Sequence, residues 1–313
     1  MNSDYYKQRQ CGEQGHQYIY NQIKNSIENN KPIFIGKIGS IELQLIHQTI
    51  IIEQKTINDY MLNLRYEVTN ASGLYPDNND TYKLFVNDYL ESIKQLDILA
   101  SWNDNILPVE EWIYKLFINP KLSIDKGIVD LTSFESFYTE SKYWWQHLFK
   151  NKTILIISPF TDSITKQLSK RNDVWIGKWN NFWDESINFK YIKFPHPYYT
   201  QSPLIQSTYP KHYKYLINDF KNKIKEIGQF DIALIGTGCY SILLGSYIKK
   251  ELNRSAFHLG GGLQMMFGVY GNRWFQNGNM SNFFKQYINE NWSRPTKDET
   301  PTGYKKQENG CYF

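Results

Sequence analysis

Short apolar runs, rich in isoleucine and closed at both ends by turn residues, recur along this chain with helical spacing between them. That alternation limits the fold more than any other feature. Eight runs have strand character: Ile33–Gly36, Ile98–Trp102, Gly127–Leu131, Thr153–Ser158, Val174–Ile176, Tyr191–Phe194, Asp231–Gly236 and Ala256–Leu259. Most are apolar at every position, as a strand must be when both faces of its sheet are covered. Helical stretches are read at Ser40–Gln48, Tyr82–Lys94, Asp162–Lys170, Tyr209–Ile227, Tyr240–Leu252 and Leu263–Phe267. Strands alternating with helices predict a mostly parallel sheet flanked by helices, in one α/β domain. The turn-rich segment Gly73–Asp80 (GLYPDNND) is read as a surface loop. From Trp292 onward periodicity is lost, so residues 292–313 are read as an extended, irregular tail on a domain spanning 1–291.

Composition removes several classes of function. Lys and Arg total 35 against 31 Asp and Glu, a net charge of +4 spread along the chain without a basic block. Nucleic acid is therefore not the expected partner. Cys11, Cys239 and Cys311 lie far apart, with no CxxC spacing, which fits a reducing compartment. No apolar stretch approaches the 18 or so residues of a membrane span, and the polar start MNSDYYKQRQ does not read as a signal peptide. A cytoplasmic chain with no transmembrane segment is the expectation.

In open α/β sheets ligands bind at the carboxyl ends of the strands, which directs attention to four strand-to-loop junctions. In the first, PIFIGKIGSIEL, a strand ends at Gly36 and a turn carries Lys37, Gly39 and Ser40 before Glu42 opens a helix. Glycines admit a ligand close to the backbone, and a helix N-terminus with a lysine favours an anion such as phosphate. The same residues also make a capped helix, with Ser40 as N-cap and Glu42 complementing the dipole. In the second, DIALIGTGCYS, a buried strand runs into Gly236, Thr237 and Gly238. This approaches a dinucleotide-binding turn, but Ser241 stands where the third glycine belongs, and Glu251 is an ambiguous ribose-binding acid. Backbone contact to a phosphate or sugar through Thr237 and Gly238 is the alternative to a plain turn.

The third junction, AFHLGGGLQMMFG, places His258 in a strand, then Gly260, Gly261 and Gly262, then Gln264 on a helix. Three glycines in a row cost conformational entropy, so a ligand or another part of the chain is expected to approach closely there. His258 is a candidate base or a core histidine; Met265, Met266 and Phe267 read as core. In the fourth, LIISPFTDSITKQ, Asp162 is a metal ligand, a base or a helix cap. Arg273, in GNRW, is a candidate clamp for a phosphate or carboxylate. The pairs Trp144–Trp145 and Tyr198–Tyr199 suit either the faces of sugar rings or a core. G-x-S-x-G, GxxxxGK[ST] and HExxH are all missing from the sequence.

Taken in order, GKIGSIE, KNKTILIISPFTDSITKQLSKR, FDIALIGTGCYSILLGSYIKK, FHLGGGLQMMFGVYGNRW, NENWSRPTKDETP and the closing GCYF resemble the GT-D-fold glycosyltransferases associated with surface polysaccharide synthesis. The resemblance spans residues 30–313 and is densest over the last 165. It implies a Rossmann-like domain that moves a sugar from a nucleoside-diphosphate donor, UDP-linked by expectation, to a glycan or glycoconjugate. In that family the first βα turn carries an Arg-x-Gly-Asp-x-Glu-like pattern that helps bind a divalent metal and the donor diphosphate. Here Lys37 stands for the arginine and Ser40 for the aspartate, while Gly39 and Glu42 are kept. With one carboxylate gone, Glu42 is the remaining candidate ligand for Mn²⁺ or Mg²⁺ in this turn, and such ions need several oxygens. By the resemblance, the diphosphate lies against Gly36, Lys37, Gly39 and Ser40. Thr237, Gly238, Gly260, Gly261, Gln264 and Arg273 line the rest, and Glu42, Asp162 and His258 are the candidate bases. Two other functions remain open: a glycan- or nucleotide-binding relative without catalysis, and a nucleotide-dependent oxidoreductase.

Overall fold

In the computed structural model, residues 4–52, 59–102, 105–121, 123, 126–195, 212–276, 283–285, 288–306 and 310–313 are described. Eight strands make one sheet: β1 (Arg9–Gln10), β2 (Phe34–Gly36), β3 (Ile98–Ser101), β4 (Gly127–Asp130), β5 (Thr153–Ser158), β6 (Asn188–Lys193), β7 (Ile232–Ile235) and β8 (Ser255–His258). Their order is β1-β4-β3-β2-β8-β7-β5-β6, and every pairing is parallel. The expected covered parallel sheet is therefore present, in a Rossmann-like α/β architecture.

Successive strand side chains point to opposite faces, and both faces are dry. Phe34, Leu155, Ile157, Ala233, Ile235 and Ala256 enter one core; Ile35, Ile154, Ile156, Ile232, Leu234 and Phe257 enter the other. The helices Ser40–Ile52, Asn79–Ile93, Tyr213–Glu226 and Ser241–Leu252 supply the first core. Gly12–Glu28 and Thr161–Leu168 supply the second, together with a cluster of tryptophans. Each such buried aliphatic or aromatic side chain contributes about 1.5–3 kcal/mol relative to exposure, which is why the central positions of these runs are apolar. Trp144 and Trp145 are fully buried in the second core, so neither offers a face to a ligand. Tyr198 and Tyr199 lie outside the described residues.

Two features of the sheet differ from expectation. Val174–Ile176 is not a strand: Val174 ends the short helix Arg171–Val174, and Trp175 turns inward and donates its indole N–H to the Met266 carbonyl at 3.2 Å. Three apolar residues gave a strand signal, but the run is spent on core filling, with Ile176 exposed. Conversely, the edge strand β1 is two polar residues long and leaves no apolar pattern to read. The helix expected over Tyr209–Ile227 covers Tyr213–Glu226, and 209–211 lie outside the described residues. The Gly73–Asp80 loop yields to a helix at Asn79, where the Asn78 side chain accepts from the Thr81 amide at 2.9 Å.

The segment from Trp292 is irregular, and it packs against the domain. Trp292, Glu299, Cys311 and Phe313 are buried. The Asn272 amide donates to the Phe313 carbonyl at 3.0 Å and the Arg273 amide to the Cys311 carbonyl at 2.9 Å. Among the described residues no helix is long and apolar enough to cross a membrane.

Candidate functional site: a cleft at the centre of the sheet

After β2 the chain passes to the helix Ser40–Ile52 on one face, whereas after the adjacent β8 it passes to Gly262–Met265 on the other. Neighbouring strands whose connections leave in opposite directions open a crevice at their carboxyl ends. A cleft of about 890 Å³, its open mouth included, lies there. Its walls carry Lys37, Gly39, Ser40, Glu42, Gly238, His258, Gly260, Gly261, Gln264 and Arg273. The residues read from three separate junctions thus converge on one space.

The β2 turn forms one wall. Gly39 is the residue before the helix, and its carbonyl accepts from the Leu43 amide at 2.9 Å. Ser40 is accordingly the first helical residue and not the cap, which leaves it on the cleft wall. Glu42 folds back over Gly39, whose missing Cβ makes the room, and is 5% exposed. Trp102, at the end of β3, braces the turn by donating its indole N–H to the Ile38 carbonyl at 2.6 Å, and the Lys37 ammonium lies 5.9 Å from its ring centroid.

Lys37 points down to a residue that sequence reasoning missed. Its Nζ lies 3.4 Å from Glu135 Oε1; Glu135 is buried, and the Lys37 side chain is 12% exposed. Burial pushes the Lys37 pKa down, and nearby Arg273 adds to this; the Glu135 carboxylate opposes both. Burial raises Glu135, with Lys37 and Arg273 pulling it back. Glu135 follows the strand β4, so its place at a carboxyl end was the available signal; nothing in LTSFESF marks it further.

The glycine triplet is a set of three sockets. A Cβ on Gly260 would lie 2.8 Å from Lys37 Cε, and one on Gly261 would lie 2.7 Å from Tyr312 Cε1. At Gly262 it would collide with the Glu135 carboxylate. The close approach expected there is made by side chains from three distant segments. Gly262→Ala is expected to push Glu135 off Lys37 and to destabilise the protein by about 2 kcal/mol, in the range of core overpacking; an unchanged unfolding midpoint in urea would contradict this packing account.

Tyr312 completes the far wall. Gln264 Nε2 donates to its carbonyl at 3.2 Å, and the Arg273 guanidinium lies 4.7 Å from its ring centroid. Arg273 thus shares the cleft wall with Lys37, and its charge adds to the lowering of the Lys37 pKa.

His258 is 6% exposed, and burial together with the Lys37 charge depresses its pKa to about 3, against the weaker effect of a hydrogen bond to the Lys37 backbone. The ring is neutral at physiological pH and too weakly basic to take a proton efficiently. Asp162 lies outside the cleft: it is exposed on the helix Thr161–Leu168 and ion-paired with Lys193. Gly36 lies beneath the cleft, where a Cβ would sit 3.1 Å from that of His258. Thr237 is fully buried and does not line the space; its amide donates to Ser241 Oγ at 2.9 Å. Glu251 is in the last turn of Ser241–Leu252, about 18 Å along that helix from the glycine turn.

Among the described residues no three His, Cys, Asp or Glu side chains gather to hold a metal ion. Among the described residues Glu42 is the single carboxylate on the cleft wall, so those side chains do not make a divalent-cation site by themselves. The other charged side chains that line the cleft, among the described residues, are Lys37 and Arg273. Fold and site together define a Rossmann-like α/β protein with a cationic cleft at the carboxyl ends of its central strands. Comparison with protein-family models, curated proteins and solved structures gives no match.

Proposed function

We propose that the protein is a glycosyltransferase whose cleft takes the diphosphate of a nucleotide-sugar donor. The observation that carries this reading is that Lys37 and Arg273 share one cleft wall with the first residues of the helix Ser40–Ile52. Two cations and a helix N-terminus favour a diphosphate, and the same groups would stabilise it as a leaving group. The resemblance in the order of motifs supports the sugar-transfer step. Of the three candidate bases, Glu42 is the one that is both on the cleft wall and a carboxylate, so we assign it the acceptor hydroxyl. Binding without transfer is the second reading, favoured by Ser40 in place of a second carboxylate.

A thermal-shift series with UDP, GDP, CDP, dTDP and NAD(H) tests it. A site of tens-of-micromolar affinity stabilises the fold by about 2–3 kcal/mol at millimolar ligand. The expected result is a shift with one nucleoside diphosphate, together with slow release of that nucleotide from its sugar conjugate. Loss of release with retained binding in Glu42→Gln would identify the base. A shift with NAD(H) alone overturns the proposal, and binding with no release by the wild type leaves the binding protein as the answer.

A further inference from the structure

Two residues that line the cleft carry a buried acceptor with no partner among the described residues. Gln264 is 1% exposed; its Nε2 is used on the Tyr312 carbonyl, while no group among the described residues donates to its Oε1. His258 is 6% exposed; its Nδ1 has no hydrogen-bond partner among the described residues, and the ring engages the Lys37 backbone. A neutral imidazole that spends its one N–H on a carbonyl keeps the other nitrogen as an acceptor. Leaving buried acceptors unpaired is costly, and native proteins pair nearly all of them. Both residues line the cleft that holds the two cations. A purely anionic ligand brings no hydrogen to either atom.

We propose that His258 and Gln264 form a hydroxyl-recognition subsite, in which Nδ1 and Oε1 accept hydrogen bonds from the ring hydroxyls of a sugar whose attached phosphates lie against Lys37 and Arg273. The subsite rests on the donor reading above and refines it. It makes His258 a ligand-binding residue in place of a base, consistent with its low basicity, and it gives the cleft a means of refusing free pyrophosphate. The hydroxyls belong either to the ribose or to the transferred sugar; both offer the same chemistry.

Calorimetric titration of the full chain with inorganic pyrophosphate, UDP, 2′-deoxy-UDP, 3′-deoxy-UDP and UDP-glucose tests the inference. UDP or UDP-glucose is expected to bind at least tenfold more tightly than pyrophosphate, and Gln264→Met and His258→Phe are expected each to lose about tenfold for that ligand with no change for pyrophosphate. A loss with either deoxy analogue on the wild-type protein places the hydroxyl on the ribose. A loss confined to UDP-glucose in the two variants places it on the transferred sugar. Two comparisons on the wild type need no substitution and hold even where a variant fails to fold: the deoxy analogues against UDP for the ribose, and UDP-glucose against UDP for the transferred sugar. No loss with the first and no gain with the second overturn the subsite. Equal losses for pyrophosphate and the sugar-bearing ligands, or none for any, overturn the subsite while leaving the donor reading intact. No binding of any of the five ligands by the wild type overturns both.

Discussion

Lys37→Met is expected to weaken nucleoside-diphosphate binding by about 100-fold, the equivalent of one or two charge-assisted hydrogen bonds, and to destabilise the fold at the same time. The second effect arises behind the cleft. Glu135 is 7% exposed and faces Lys37 at 3.4 Å, so removing the ammonium leaves a buried carboxylate without its ion-pair partner. Breaking such a pair from one side costs about 3 kcal/mol. The loss carries a pH signature. Burial already raises the Glu135 pKa above its ordinary value, and without Lys37 it rises further. A carboxyl with a raised folded pKa binds more protons folded than unfolded, so its unfavourable contribution is present above the folded pKa and relieved as pH falls through it. Denaturation at pH 8 and pH 5 should therefore show a deficit that shrinks at the lower pH. The double variant Lys37→Met/Glu135→Leu should recover most of the stability and none of the binding. A pH-independent deficit, or a single variant that keeps its affinity, would refute the coupling.

Glu299→Ala is expected to be the most damaging change outside the cleft. This carboxylate, 2% exposed, accepts from the Asp162 amide at 2.8 Å, the Ser163 amide at 3.2 Å and the Ser163 hydroxyl. It also accepts from the Thr296 amide at 3.4 Å, closing a capping box on its own segment, and from the Thr296 hydroxyl at 3.1 Å. It therefore caps the helix Thr161–Leu168 from outside the helix, in the position a bound anion would take. Its removal strands first-turn amides in a dry environment, a cost of about 3 kcal/mol. It also unfastens residues 292–313 from the domain, and with them Tyr312. The measurable result is a lowered unfolding midpoint, faster cleavage within 292–313 by a dilute protease, and weaker nucleotide binding although Glu299 does not touch the cleft. Glu299→Gln, which keeps one acceptor, should lie between. Wild-type protease resistance in Glu299→Ala would show that the segment is held by other contacts.

What the sequence disclosed, and what it hid, follow one physical division. Strands covered on both faces must be apolar throughout, so β3, β4, β5, β7 and β8 were legible from hydropathy alone. The turn at Gly36–Glu42 and the Gly260–Gly262 triplet were visible because glycine is used where nothing larger fits. Which neighbour fills the space is a tertiary fact: Lys37, Tyr312 and Glu135 come from three remote segments, and no local pattern links them. Asp162 shows the converse. It follows a strand and opens a helix, as a site residue would, yet its side chain turns to Lys193 on the surface. The helix Gly12–Glu28 buries Gly15, Ile19 and Ile23 at four-residue spacing, but its other positions are so polar that the stripe gives little signal.

The position of β2 at the middle of the sheet bears on how the chain reaches its folded state. One neighbour is close in sequence: the Phe34 amide donates to Asp97, 63 residues on, at the start of β3. The other neighbour is reached across 222 residues, where the Ile33 amide donates to the side chain of Ser255, the first residue of β8. A chain made from its N-terminus can assemble β2, β3 and β4 early, but β2 then has an open, apolar edge until β8 has been synthesised and threaded beside it. Such contacts of long sequence separation form slowly, and an open edge can pair with a foreign strand in the meantime. The seam that carries the cleft is thus the last part of the sheet to close and the part most dependent on protection during synthesis.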